Sequence, residues 1–211
     1  MTVYDVNKAT SAADAEQIVP RAEFRVFGQN IIDIVKPAMW KAHATLFKVR
    51  QSGETYILSR HTNEANVKIR NGLLDIKIKV GETQSGYDIF QPRGKFQFPV
   101  KQDELAAILE KLRSKIEFNQ DSYTFDNFLK LIRTTDDIAS VDVHKQRHVF
   151  SVDGVICEYG KILFNGAMVE TTCVESEDYA AMEKVIDKLE ISDFENVNYL
   201  KAAKRVVGME E

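Results

Sequence analysis

Charged and apolar residues alternate in several short stretches of this chain and recur every three or four positions in others, and the two periods divide it into strands and helices. Arg21-Ala-Glu-Phe-Arg-Val-Phe27 alternates until Gly28 and Asn30 interrupt it, which predicts a first strand. Ile31, Ile34, Val35, Ala38, Met39 and Ala42 then share a helical face with Pro37 inside the run, so a helix follows whose start or axis the proline adjusts. Strands are predicted at 45–49, 55–59, 66–70 and 73–80, the last two joined by Asn71-Gly72, a dipeptide that accepts the positive φ of a two-residue hairpin. A short strand at 87–91 comes next. Leu105, Ile108, Leu109, Leu112 and Ile116 give an amphipathic helix over 102–116, and Phe125, Phe128, Leu129 and Ile132 a second, shorter one. Strand patterns return at 141–152, 155–159, 161–164 and 169–174, with Gly154, Gly160 and Gly166 read as tight turns. Tyr179 to Leu189 and Tyr199 to Val207 close the chain as helices. Residues 1–19 carry no clear period and read as an arm or short flanking helix before a single domain over 20–211.

Strands that follow one another without intervening helices suit an antiparallel α+β domain, not a parallel nucleotide-binding sheet. Composition agrees with a folded globule: 211 residues are 44% hydrophobic and 28% charged, with 12 Phe, 7 Tyr and only 4 Pro. The net charge of −4 argues against a nucleic-acid coat or a polybasic membrane patch. Met1 is followed by no basic and apolar leader and no run is long enough to span a bilayer, so a cytoplasmic protein is expected. Cys157 and Cys173 form no metal-ligand pattern and read as reduced core residues. His144 and His148 lie four strand positions apart, about 13 Å, too far to share an ion, and with His43 and His61 read as surface residues. No GxSxG, GxGxxG or GxxxxGK[ST] motif occurs.

The charges on the strands change this picture. Alternate strand residues face the same way, which groups Arg21, Glu23 and Arg25; Lys68 and Arg70; Asp75, Lys77 and Lys79; and Lys145 and Arg147. Eight of these are basic in a chain that is acidic overall. One reading is the solvated face of an open antiparallel sheet. The other closes the strands into a barrel, apolar face outward beneath the helices, with the charged face lining a channel. Cations crowded together repel, and a phosphate chain whose oxygens match Arg and Lys donors would compensate them. Glu23, Glu158 and Glu175 are the acids able to join that lining, and separated carboxylates that converge suit Mg²⁺ or Mn²⁺ shared with phosphate. Asp75 reads as the partner of a neighbouring Lys.

These segments resemble the CYTH-like superfamily of triphosphate tunnel enzymes, in an uncharacterised bacterial branch. Arg21-Ala-Glu-Phe-Arg25 is similar to its first acidic strand, Val67-Lys-Ile-Arg70 to its RxR-type strand, and Leu74-Asp-Ile-Lys-Ile-Lys79 to its lysine strand. Val143-His-Lys-Gln-Arg147 resembles its later basic strand, and Thr172-Cys-Val-Glu-Ser-Glu-Asp178 its late acidic strand. The resemblance implies an antiparallel β-barrel forming a tunnel with helices packed outside. It implies phosphate binding by Arg25, Lys68, Arg70, Lys77, Lys79, Lys145 and Arg147, and Mg²⁺ or Mn²⁺ held by Glu23, Glu158 and Glu175. The expected substrate is tripolyphosphate, a nucleoside triphosphate or polyphosphate, hydrolysed with metal assistance, by a chain that needs neither nucleic acid nor membrane and admits a homodimer. The alternatives are a non-catalytic polyphosphate or nucleotide sensor and a class IV-type adenylate cyclase. Two positions depart from the pattern, Arg21 and Cys173, where the family has acids. An arginine in place of a carboxylate removes a metal ligand and adds a phosphate donor, which favours the sensor.

Overall fold

A computed structural model describes residues 20–209, so the expectation of an N-terminal arm over 1–19 lies outside the described residues. Strand β1 (Ala22–Gly28) leads to helix α1 (Ile31–Lys41), and then to β2 (Thr45–Ser59), β3 (Thr62–Arg70), β4 (Leu73–Glu82) and β5 (Asp88–Gln97). The central stretch contains β6 (Val100–Lys101), α2 (Gln102–Lys111), β7 (Ser122–Tyr123) and α3 (Phe125–Arg133). The chain ends with β8 (Ile138–Val152), β9 (Val155–Phe164), β10 (Ala167–Ser176), α4 (Tyr179–Lys188) and α5 (Tyr199–Val207).

Eight strands close into an antiparallel barrel in the order β1-β10-β9-β8-β2-β3-β4-β5. The closed-tunnel expectation therefore holds over the open-sheet alternative. The ring is sealed between β1 and β5 by only two residue pairs, Ala22 with Ile89 and Glu23 with Asp88. The β3–β4 hairpin turns at Asn71 and Gly72 with φ of 52° and 74°, as the dipeptide predicts. Asp153-Gly154 and Asn165-Gly166 make the same kind of turn.

Two strand breaks expected from the sequence are absent. The 45–49 and 55–59 segments are one strand of 15 residues paired along its length with β8. The 155–159 and 161–164 segments are likewise one strand, and Gly160 lies inside it. A Cβ on Gly160 would stand 2.3 Å from the Gln146 carbonyl oxygen and 3.1 Å from Arg147 Cα, so glycine serves close approach to β8, not a turn. Helix α2 also ends earlier than its periodicity suggests, because Arg113 just beyond it takes φ 56°.

The outward face of the barrel is apolar and carries the helices. Phe24, Val26, Phe150 and Val174 pack with Ile31 and Val35 of α1 and Met182 and Ile186 of α4. Val67, Ile69, Leu74 and Ile76 pack with Leu105 and Leu109 of α2 and Phe128 and Ile132 of α3. Each such side chain taken fully from water contributes about 1.5–3 kcal/mol, so these two layers hold the ring together. Local contacts place the helices: Glu170 of β10 accepts from the Ile32 amide at the start of α1, and Asp178 caps α4 through the Ala181 amide.

The inner face is divided. One half is apolar, lined by Tyr56, Leu58, Val141, Val143, Ile162 and Phe164, and α5 fills it with Tyr199, Leu200 and Ala203. The tunnel is thus stoppered at one end. The segment leading into α5 is stitched to β1, where the Arg25 amide donates to Asn196 Oδ1 and the Val197 amide donates to the Arg25 carbonyl. Asn198 then caps α5 through the Leu200 and Lys201 amides while its side-chain amide donates to Asp88. The other half of the inner face is charged and open.

Candidate functional site

The charged half encloses a cavity of about 370 Å³. Its lining takes Glu23 and Arg25 from β1, Glu54 and Tyr56 from β2, Lys68 and Arg70 from β3, and Lys77 from β4. Lys145 and Arg147 of β8, Glu158 of β9, Glu175 of β10 and Tyr199 of α5 complete most of the wall, with Arg21, Arg50 and Asp88 at its edge. Eight basic and five acidic side chains face the space, a formal surplus of three positive charges in a chain of net charge −4.

Two buried ion clusters organise the lining. In the first, Arg25 Nε donates to Glu23 Oε1 at 2.7 Å and Nη2 to Glu23 Oε2 at 3.0 Å. The same Nη2 reaches Glu158 Oε1 at 2.9 Å and Cys173 Sγ at 3.0 Å, while Nη1 donates to Thr171 Oγ1 at 3.3 Å. Tyr199 lies over the guanidinium, 4.5 Å from ring centroid to Cζ. Arg147 contacts the other oxygen of Glu158 at 3.6 Å. Burial alone would raise the Glu23 carboxyl, but Arg25 overrides it and holds the group below its ordinary value. Glu175, opposite Glu23 in the β1–β10 register, is raised by burial and by the Glu23 charge.

The second cluster is centred on Glu54. Its Oε2 accepts from Lys68 at 2.9 Å and lies 3.0 Å from Lys145 Nζ, and its Oε1 is 3.8 Å from Arg70. Burial opposes the carboxylate, yet the two lysines bring it down to about 2. Lys145 also donates to Tyr56 Oη at 2.8 Å and stands 4.0 Å from the Tyr199 ring centroid. Arg70 has its closer partner in Asp75 at 3.0 Å, but one carboxylate cannot neutralise the two ammonium groups that remain. Burial, reinforced by Lys68 and Arg147 against the pull of Glu54, therefore lowers Lys145 to about 7.

Of the residues expected to bind phosphate, Arg25, Lys68, Arg70, Lys77, Lys145 and Arg147 line the cavity. Lys79 does not; it is drawn to the rim by Asp88 at 2.7 Å and by Glu82. Arg25 is 3% exposed with its donors engaged, so it is a buried counter-charge more than an open anion ligand. Asp75 pairs with Arg70 at 3.0 Å, an arginine on the facing strand where a lysine was expected. His148 is not a plain surface histidine either, since its ring stacks on Tyr159 at 4.8 Å between centroids. Both cysteines are free and buried, Cys157 beneath the outer helices and Cys173 beside Arg25.

Glu23, Glu158 and Glu175 all reach the cavity, but they do not fit Mg²⁺ or Mn²⁺ as a set. Among the described residues no group of three His, Cys, Asp or Glu side chains is arranged to hold an ion. The cause is physical: the Arg25 guanidinium occupies the space between Glu23 and Glu158 and uses the oxygens a metal would need. Sequence reasoning also missed Glu54, Tyr56 and Tyr199. Glu54 sits in a polar stretch, Gln51-Ser-Gly-Glu54, that reads as a break between strands, and Tyr199 sits on a terminal helix whose inward face no local pattern reveals. A larger, shallower depression of about 660 Å³ outside the barrel, where His61 meets Asp137 at 3.0 Å, brings together no comparable set of buried charges.

No model of a known protein family matches the sequence, and no curated protein matches it. Solved structures with a similar course include a conserved hypothetical protein from Pyrococcus furiosus, 11% identical over 85% of this chain and 98% of that one, with a TM-score of 0.48. A protein from Pyrococcus horikoshii is 14% identical over 84% and 97%, with a TM-score of 0.47. A Hippeastrum protein described as an adenylyl cyclase candidate with a dominant triphosphatase activity is 14% identical over 89% and 95%, with a TM-score of 0.49. Likeness this faint says nothing of activity. The tunnel with helices outside that the CYTH-like resemblance implies is nonetheless the architecture of this chain, seen in its own strand order.

Proposed function

We infer that the charged half of the barrel binds the phosphate chain of a small polyanion, such as tripolyphosphate, a nucleoside triphosphate or the end of polyphosphate. The observation that carries this reading is convergence: cations from five strands face one blind cavity of about 370 Å³ and outnumber its acids. Among the described residues Lys77 and Arg50 face it without an ion-pair partner, and Arg147 meets Glu158 only at 3.6 Å, so these three are the donors most available to incoming oxygens. Lys68, Lys145 and Arg70 around Glu54 form the deeper floor, where a terminal phosphate adds the negative charge that one carboxylate cannot supply. The apolar stopper formed by α5 gives the site a bottom and favours chain ends over continuous polymers.

Because Glu23 and Glu158 are engaged by Arg25, the geometry favours a binding or sensing module over metal-assisted hydrolysis. One observation supports turnover as a second reading. Lys145, lowered to about 7, is partly neutral at physiological pH and shares a hydrogen bond with Tyr56, so it can accept a proton from an attacking water. No feature of the lining distinguishes a purine, which leaves cyclase chemistry without a structural basis. Calorimetric titration of tripolyphosphate and ATP, with phosphate release followed in parallel, tests the reading. Binding weakened at least tenfold by Lys77→Met or Arg147→Met supports it, since loss of a charge-assisted contact costs about 1.5–3 kcal/mol. Absence of binding to the unaltered protein refutes it.

A further inference from the structure

We propose that the Arg25 guanidinium takes the place of a divalent cation, so that this barrel engages phosphate chains without a metal. The inference rests on the phosphate reading above and concerns what balances the acids at that site. Two carboxylates on the inner face, Glu23 of β1 and Glu158 of β9 with β10 between them, would repel both each other and any anion entering the cavity. They need a cation between them, and the structure supplies one from the chain itself: Nη2 of Arg25 stands 3.0 Å from Glu23 and 2.9 Å from Glu158.

Three features separate this arrangement from an ordinary ion pair. The guanidinium is closed in, with Thr171, Cys173 and the Tyr199 ring on its remaining sides and 3% of the residue exposed. Its backbone is fixed in both directions by Asn196 and Val197, so the side chain has little room to withdraw. The third neighbour of Nη2 is a thiol that burial keeps protonated, so it offers an entering divalent ion no charged ligand. A divalent ion entering would have to displace a tethered cation from both acids and would meet its charge at close range. With Arg25 between them and Arg147 at the far oxygen of Glu158, the two acids oppose phosphate less, and the positive charge of Lys77, Arg50 and the Glu54 cluster is left to act directly.

The test is calorimetric titration of tripolyphosphate into the full chain in EDTA and again in Mg²⁺ or Mn²⁺, together with MnCl₂ alone followed by electron paramagnetic resonance. Affinity in EDTA is expected to match that with metal within about threefold, or to exceed it because metal-complexed tripolyphosphate carries less charge, and the Mn²⁺ signal should not change on adding protein. Tripolyphosphate binding that weakens more than about tenfold on chelation, or Mn²⁺ captured by the protein alone, overturns the inference while leaving the phosphate reading intact. Failure to bind in either condition overturns the phosphate reading and this inference with it. Arg25→Gln, which frees Glu23 and Glu158, should create Mn²⁺ binding absent from the parent; a folded variant that gains none counts against the proposal, and if the variant does not fold the titrations of the parent decide.

Discussion

Replacing Glu54 by Gln keeps the shape of the residue and removes the charge at the centre of the deeper cluster. Glu54 is 5% exposed and serves Lys68 at 2.9 Å, Lys145 at 3.0 Å and Arg70 at 3.8 Å. At an effective dielectric of about 20, each of the two closer contacts represents on the order of 5 kcal/mol of gross attraction, most of it offset by the cost of desolvating the ions. The net loss on removing one partner is about 3–5 kcal/mol, because the cations left behind stay buried. For a domain of this size that corresponds to a fall in Tm of roughly 6–20 °C. The sign of the pH effect follows from Lys145. Its folded pKa of about 7 is below its ordinary 10.5, so the native state binds fewer protons between those values and its contribution to stability rises with pH across that window. Without Glu54 the lysine loses its charge more readily, and the deficit of the variant should shrink as pH is raised from about 6 to about 8.5. Thermal melts of parent and Glu54→Gln with and without tripolyphosphate read all of this. The ligand should stabilise the variant more than the parent, since phosphate restores the missing negative charge. A variant that melts within about 2 °C of the parent, or equal stabilisation of both by tripolyphosphate, would refute the view that Glu54 is the counter-charge of the site.

Tripolyphosphate affinity should rise as pH falls through 7, with proton uptake visible as buffer-dependent binding enthalpy, and Lys145→Met should abolish the part due to this group; an unchanged enthalpy pattern in the variant would count against it. Gly160→Ala forces a Cβ to within 2.3 Å of the Gln146 carbonyl, so the urea midpoint should drop by the equivalent of about 1–3 kcal/mol, and phosphate affinity should fall with it because Arg147 is displaced. An unmoved midpoint would show that β8 and β9 have slack to absorb the methyl group. Lys79→Met should leave tripolyphosphate affinity within about threefold, since that lysine is held by Asp88 and Glu82 outside the cavity lining. Gly72→Ala should cost about 1 kcal/mol in urea denaturation because the hairpin requires φ 74° there.

The ring and its inner face were legible because alternation is a local signal that barrel closure preserves. Arg25, Lys68, Arg70, Lys145 and Arg147, placed on one face by counting, all line the cavity, while Arg21 just before β1 stays at its edge, and Asn71-Gly72 turns where its chemistry requires. What local pattern cannot show is which strand lies opposite. Gly160 looks like a turn until β8 is seen pressing on it, and β2 looks divided because Gln51-Ser-Gly-Glu54 holds no apolar residue to mark the strand. Partner choice failed for the same reason. Arg25 and Glu158 are separated by 133 positions, so the pairing that converts a presumed phosphate ligand and a presumed metal ligand into mutual counter-ions arises only on folding. Lys79 shares its alternating face with Lys77, yet near the end of β4 it is drawn to Asp88 and Glu82, partners that no local pattern reveals.

The two-pair seam between β1 and β5 gives the barrel a place to breathe. One of its four residues is Glu23, the same carboxylate that clasps Arg25, and another, Asp88, receives the amide of Asn198 at the head of the stopper helix. Charge at the site and mechanical closure of the ring are therefore carried by common side chains. Opening the seam would disturb both at once, so amide exchange at residues 22–23 and 88–89 is the place where occupancy of the interior should be read from the ring itself.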